Sequence, residues 1–146
     1  MIYADGTALC QFLPGAQYFN EWNTFAIPQL GQIVTTQLGW TEFRQAAELC
    51  PREEREQVFF VVEQVKKRIP LIRFSEENFS VSAHAAVVLK PFAALHLGAA
   101  VADPAVNTMA TYDIDLARVA ALYQLTVVSP GLPAGWHNSE ADASLA

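Results

Sequence analysis

Cysteine is scarce in this chain: only Cys10 and Cys50 occur, at no paired spacing and with no histidine cluster beside them. That argues against a disulfide framework or a zinc site and fits a reducing cytoplasm, with both thiols acting as small buried hydrophobes. Basic residues are also few. Nine Lys and Arg face fifteen Asp and Glu, the net charge is −6, and no basic block is longer than Lys66-Lys67-Arg68. Bulk positive charge therefore cannot hold a nucleic acid, and any such ligand must be bound locally. No apolar run approaches the roughly 18–20 residues that span a bilayer, so no membrane partner is expected. The opening segment lacks the basic stretch of a signal peptide and reaches Asp5 at once, so it reads as a first strand. No P-loop, Gly-x-Gly-x-x-Gly, Gly-x-Ser-x-Gly or His-Glu-x-x-His pattern is present, which leaves nucleotide-binding, serine-hydrolase and zincin chemistry without support.

What is present is an apolar, moderately charged chain of one-domain size: 146 residues, 52% hydrophobic and 16% charged. With a mean hydropathy of +0.18 it has the material for a packed core. Strand-like runs fall at Met1–Ala4, Gln32–Thr35, Leu71–Phe74, Asn107–Thr111 and Leu125–Val128. Helical spacing is expected at Thr7–Leu13, Gln17–Ala26, Trp40–Leu49, Arg52–Arg68, Glu76–Leu89, Pro91–Ala102 and Ile114–Tyr123. The Arg52–Arg68 segment is the clearest. Pro51 precedes it, acids fill its first turns, the basic triplet fills its last, and Val58, Val61, Val62 and Val65 form one stripe. The basic triplet is thus read as complementing a helix C-terminus rather than as a phosphate patch. Strands alternating with helices predict an α/β fold: a three-layer α/β/α sandwich with a mainly parallel sheet and right-handed crossovers. Gly131 to Gly135 breaks the pattern, giving a domain over 1–131 and a C-terminal tail over 132–146, polar and small from His137 onward.

In parallel α/β sheets ligands collect at the carboxyl ends of strands. Asp5 ends the first strand, Glu42 follows the second, and Asp113, with Asp115 next to it, follows the fourth. Each has an ordinary use: Asp5 and Asp113 as helix N-caps, Asp115 in a first helical turn, Glu42 near a helix N-terminus. Together they imply more, because converging carboxylates repel and raise one another's pKa unless a cation sits among them. Oxygen ligands without cysteine or clustered histidine point to Mg²⁺ or Mn²⁺, ions that serve phosphodiester hydrolysis. His96 shares a helix face with Ala93 at i, i+3 and is read chiefly as a core histidine. The aromatic stretch Tyr18–Phe25 is read as core or as a dimer face rather than a base-stacking platform.

Four segments, in order, carry a resemblance. Met1-Ile2-Tyr3-Ala4-Asp5-Gly6-Thr7 resembles the opening of PIN-domain ribonucleases of the VapC toxin type, and Thr35-Thr36 through Thr41-Glu42-Phe43-Arg44 resembles their second element. Leu89-Lys90-Pro91-Phe92-Ala93-Ala94-Leu95-His96-Leu97 resembles the third. Met109 to Ala117 and Val127 to Gly131 resemble the fourth and the closing strand. The resemblance covers Met1 to Gly131 and implies a PIN-like fold and a metal-dependent endoribonuclease of prokaryotic toxin–antitoxin systems. It implies Asp5, Glu42 and Asp113 as catalytic metal ligands, Asp115 as a water-mediated contributor, Thr7 as a hydrogen-bond partner at the site and Arg44 as a contact for RNA phosphate. A helix-surface ion pair is the competing use of Arg44. Its further implications are a VapB-like antitoxin that occludes the acidic groove, and a homodimer. One departure stands out: the third element normally carries an aspartate where this chain has Ala93. Loss of that carboxylate is expected to weaken metal binding and to cost on the order of 10²-fold in rate. The competing reading is a catalytically silent PIN-like module that binds an antitoxin or RNA without cutting. A third is an α/β domain whose acids are only caps.

Overall fold

A computed structural model describes residues 1–138. Five strands form one parallel sheet: β1 (Ile2–Ala4), β2 (Ile33–Thr36), β3 (Leu71–Ile72), β4 (Thr108–Ala110) and β5 (Thr126–Val128). Their order is β3-β2-β1-β4-β5. The chain first steps outward from β1 to β2 and β3, then crosses back to β4 and continues to β5. The direction of winding therefore reverses between β1 and β4, where Ile2 is in register with Thr108 and Ala4 with Ala110.

Among the described residues seven α-helices cover the two faces: α1 (Gly6–Leu9), α2 (Phe19–Ala26), α3 (Gln37–Glu48), α4 (Arg55–Arg68), α5 (Glu76–Ala85), α6 (Pro91–Ala102) and α7 (Ile114–Leu122). Alternation along the strands builds a core on each side. Ile2, Ala4, Ile33, Ala110 and Val128 face Leu9, Trp22, Phe43, Val58 and Val62 of α1 to α4. Tyr3, Val34, Met109 and Val127 face Leu97, Ala100, Leu116 and Ala120 of α6 and α7. The fold is thus α/β with a parallel central sheet between two helical layers. No described helix is long and apolar enough to cross a membrane.

Local chemistry sets most boundaries. Ser75 and Asn78 form a capping box at the start of α5, and Pro91 opens α6 at the first helical position. Several ends differ from expectation. The Thr7–Leu13 helix is a single α-turn over Gly6–Leu9 followed by a 3₁₀ turn over Cys10–Phe12. Helix α3 begins at Gln37, three residues before the expected Trp40, because the Thr36 side chain accepts the Gly39 N–H as its N-cap. Glu42 accordingly lies in the second turn of α3 and not at its N-terminus. Both cysteines are free, and both are half-buried rather than enclosed.

The segment after Gly131 does not leave the domain at once. Leu132 donates its N–H to Ser129 O, and Trp136–Asn138 forms a 3₁₀ turn with His137 buried. Arg118 Nε donates to the His137 carbonyl at 2.8 Å, which docks the turn on α7. The expected tail therefore folds back at least to residue 138; residues 139–146 lie outside the described part.

Helices α5 and α6 make the most extensive contact between any two elements. Gly98 permits it, since a Cβ there would overlap Ser82 Oγ and the Asn78 carbonyl oxygen. Gly98→Ala should destabilise the protein by about 1–3 kcal/mol, the usual scale of overpacking. Gly31→Ala, where a Cβ meets nothing within 4 Å, should stay within about 0.5 kcal/mol of the parent. Thermal melts of the two variants side by side check this, and equal losses would contradict the packing argument.

Candidate active site

At the carboxyl end of the sheet, over the reversal between β1 and β4, lies a pocket of about 320 Å³. Asp5, Thr7, Glu42, Ala93, His96 and Asp113 line it, together with Lys90, Pro91, Phe92 and Leu116. Open α/β sheets place ligands at this crevice, because strands on either side of a reversal send their connections apart. The sheet brings Asp5 from β1 and Asp113 from the end of β4, and α3 brings Glu42 from beyond β2.

Asp5 is buried and held at both oxygens. Oδ1 accepts the Thr7 hydroxyl at 2.7 Å and the Ala8 N–H at 2.9 Å. Oδ2 accepts the Thr111 hydroxyl at 2.6 Å. Thr7 Oγ1 in turn accepts the Tyr112 N–H at 2.9 Å, and Thr111 Oγ1 accepts the Asp113 N–H at 3.0 Å. Asp113 caps α7, its Oδ1 accepting the N–H groups of Asp115 and Leu116 at 2.9 and 3.1 Å. Glu42 Oε1 bonds His96 Nε2. The glycine after Asp5 makes room for that side chain: a Cβ at Gly6 would lie 2.7 Å from Glu42 Cδ and 2.8 Å from its Oε2.

Asp5 and Asp113 are thus helix caps and pocket acids at once. The two remaining predicted residues lie elsewhere. Asp115 is exposed and does not line the pocket. Arg44 sits 5.4 Å over the Phe59 ring and 3.8 Å from Glu48, the helix-surface pairing that competed with a phosphate contact. Such an exposed pair is worth little energetically. Thr111, Gly6, Lys90 and Tyr3 were not singled out from the sequence. Thr111 had a signal available: a hydroxyl two residues before Asp113 mirrors Thr7 two residues after Asp5. Gly6 and Tyr3 act through contacts between elements distant in sequence, which no local pattern carries.

Burial raises the Asp5 carboxyl above its ordinary value, an effect only partly countered by the charge of His96 and by the bonds from Thr111, Thr7 and Ala8. No Lys or Arg bonds to it among the described residues, so the pocket holds a dry carboxyl without an in-chain ammonium or guanidinium partner. Glu42 Oε2 and Asp113 Oδ2 receive no hydrogen bond among the described residues. No three described His, Cys, Asp or Glu side chains converge closely enough to cage an ion. What the pocket offers is a looser set of hard oxygens, which fits Mg²⁺ or Mn²⁺ held by one or two carboxylates and retaining water. Comparison with family models, with curated proteins and with solved structures finds no match to the chain.

The raised Asp5 value has a definite sign for stability. The folded state holds this proton more tightly than the unfolded chain, so the Asp5 contribution to stability falls as pH rises above 3.8 through the folded value. Asp5→Asn keeps an acceptor for Thr7 and Ala8 and removes the charge. Its Tm should exceed the parent's at pH 7, by roughly 3 °C for each kcal/mol gained at this size, with the gain shrinking toward pH 4. Melts across that range decide it; a gain independent of pH would refute the assignment.

Proposed function

We propose that this chain is a metal-dependent endoribonuclease of the VapC-like PIN type, impaired by Ala93. The observation that carries the reading is that Asp5, Glu42 and Asp113, from three separate strand connections, line one pocket at the sheet's point of reversal. Bound there, Mg²⁺ or Mn²⁺ would supply charge neutralisation at a scissile phosphate and a water acidified toward neutral pH. The chain's own residues do the rest. Thr7, Thr111 and the Ala8 N–H hold Asp5 in one rotamer, and the first turn of α7 holds Asp113. Lys90, the one Lys or Arg side chain lining the pocket among the described residues, would meet a phosphate oxygen. Ala93 leaves the α6 wall of the pocket with a methyl group where the resemblance expects a carboxylate.

Ala93 also favours a second reading, a silent PIN-like module that binds without cutting. In either case the partners are RNA and a VapB-like antitoxin whose segment would cover the acidic pocket. A homodimer is supported by exposed apolar side chains on α5, its connection to α6 and the first turn of α6: Phe79, Val87, Val88 and Phe92. Two free cysteines suit the prokaryotic cytoplasm that this reading requires.

The deciding assay incubates structured RNA with Mg²⁺ or Mn²⁺ and either the chain itself or Ala93→Asp. Slow cleavage by the chain, faster by on the order of 10² in Ala93→Asp and abolished by Asp5→Asn, is expected. Metal uptake by Ala93→Asp without turnover would favour the silent module. No cleavage and no metal uptake by either folded protein would end the nuclease reading.

A further inference from the structure

A chain of buried polar groups runs from the edge of the core on the α6 and α7 side to the pocket wall. Thr36 Oγ1 and Tyr3 OH are 3.0 Å apart, Tyr3 OH and His96 Nδ1 are 2.7 Å apart, and His96 Nε2 meets Glu42 Oε1. Tyr3, Thr36 and His96 are almost wholly enclosed, at 0, 0 and 2% exposure. Four residues from β1, β2, α3 and α6 are therefore joined by hydrogen bonds in a place where an unmet polar group is costly.

The donor and acceptor inventory gives this chain a direction. A carboxylate only accepts, so His96 Nε2 must carry the proton it shares with Glu42. Tyr3 has one proton, and burial drives its phenol far above the ordinary range, so it remains a donor. Thr36 also has one. If Thr36 donates to Tyr3 and Tyr3 donates to Nδ1, every link is filled once: hydroxyl to phenol, phenol to imidazole, imidazole to carboxylate. The ring also stands edge-on to Tyr3, with centroids 5.7 Å apart, and its orientation is set from both sides. Gly6 leaves room for the carboxylate that the ring meets, since a Cβ there would strike Glu42.

We infer that His96 is a positioning residue for Glu42: held at Nδ1 by Tyr3, its imidazole donates from Nε2 to one carboxylate oxygen so that the other faces the pocket across Gly6. This rests on the metal-site reading above and deepens it, assigning to Thr36, Tyr3 and His96 the orientation of one ligand. The residue acts through Glu42. Partners of this kind, set behind metal-binding side chains, typically change metal affinity by about 10–100-fold when removed.

Two measurements on the full chain test it. Nitrogen-15 NMR of the His96 ring should show a proton on Nε2, and a ring with a bare Nε2 would overturn the inference whether or not metal binds. Calorimetric titration with Mn²⁺ should show about 10–100-fold weaker binding for His96→Phe. His96→Gln, whose amide can donate to Glu42 from about the same place, should restore most of that loss. Tyr3→Phe, which strips the acceptor nitrogen of its partner, should fall between them. Circular dichroism confirms folding, and unchanged Mn²⁺ affinity in folded His96→Phe would refute the positioning role. If the parent takes up no Mn²⁺, the metal reading fails, and the ring spectrum alone still decides how His96 is held.

Discussion

The bond from the Thr111 hydroxyl to Asp5 Oδ2, 2.6 Å long and fully buried, ties together the carboxyl ends of the two strands between which the sheet reverses. Parallel strands on either side of such a reversal send their connections to opposite faces, and past the bond from the Asp5 N–H to Ala110 O side chains must hold the ends together. Asp5 and Thr111 do so, and each extends the link: Thr7 joins Asp5 to the Tyr112 N–H, and Thr111 receives the Asp113 N–H. The pocket exists because this seam is polar and closed by short side chains. Its floor is accordingly rigid, while its walls come from α3 and α6.

Electrostatics and packing oppose one another there. Burial makes the Asp5 charge unfavourable, yet the same carboxyl satisfies two hydroxyls and one backbone N–H. Replacing it with an apolar residue would leave those donors unmet in a dry place. The carboxyl is thus retained by its neighbours' needs and made uncomfortable by its surroundings, a combination common where function is built into a core.

Much of this architecture was legible in the residue pattern. The five strands fell where β-branched runs predicted them, to within a residue or two, and α6 ran over the expected span because Pro91 marks its start in sequence. The pairing of each carboxylate with a strand end followed from position alone. Harder to see was α3, whose cap, Thr36, is also the last residue of β2 and reads as strand. Likewise Arg44 looked close to the site because Glu42 is, but two residues along a helix turn a side chain through about 200°, and Arg44 ends over Phe59. Tyr3 and His96, ninety-three positions apart, meet only because β1 and α6 pack together.

The first turn of α6 differs from the other sources of pocket side chains in one respect. Removing Asp5 or Asp113 would strip a cap and loosen a helix start, and Glu42 answers a buried histidine. Position 93 has no such duty: Pro91 begins α6, the Lys90 side chain makes no cap bond, and alanine is the best of helix formers. Three of the acids are therefore bound up with the architecture, and the fourth place is free of it. Among the pocket positions, 93 is the point of least mechanical consequence, and it is where this chain has alanine in place of the aspartate that the resemblance expects.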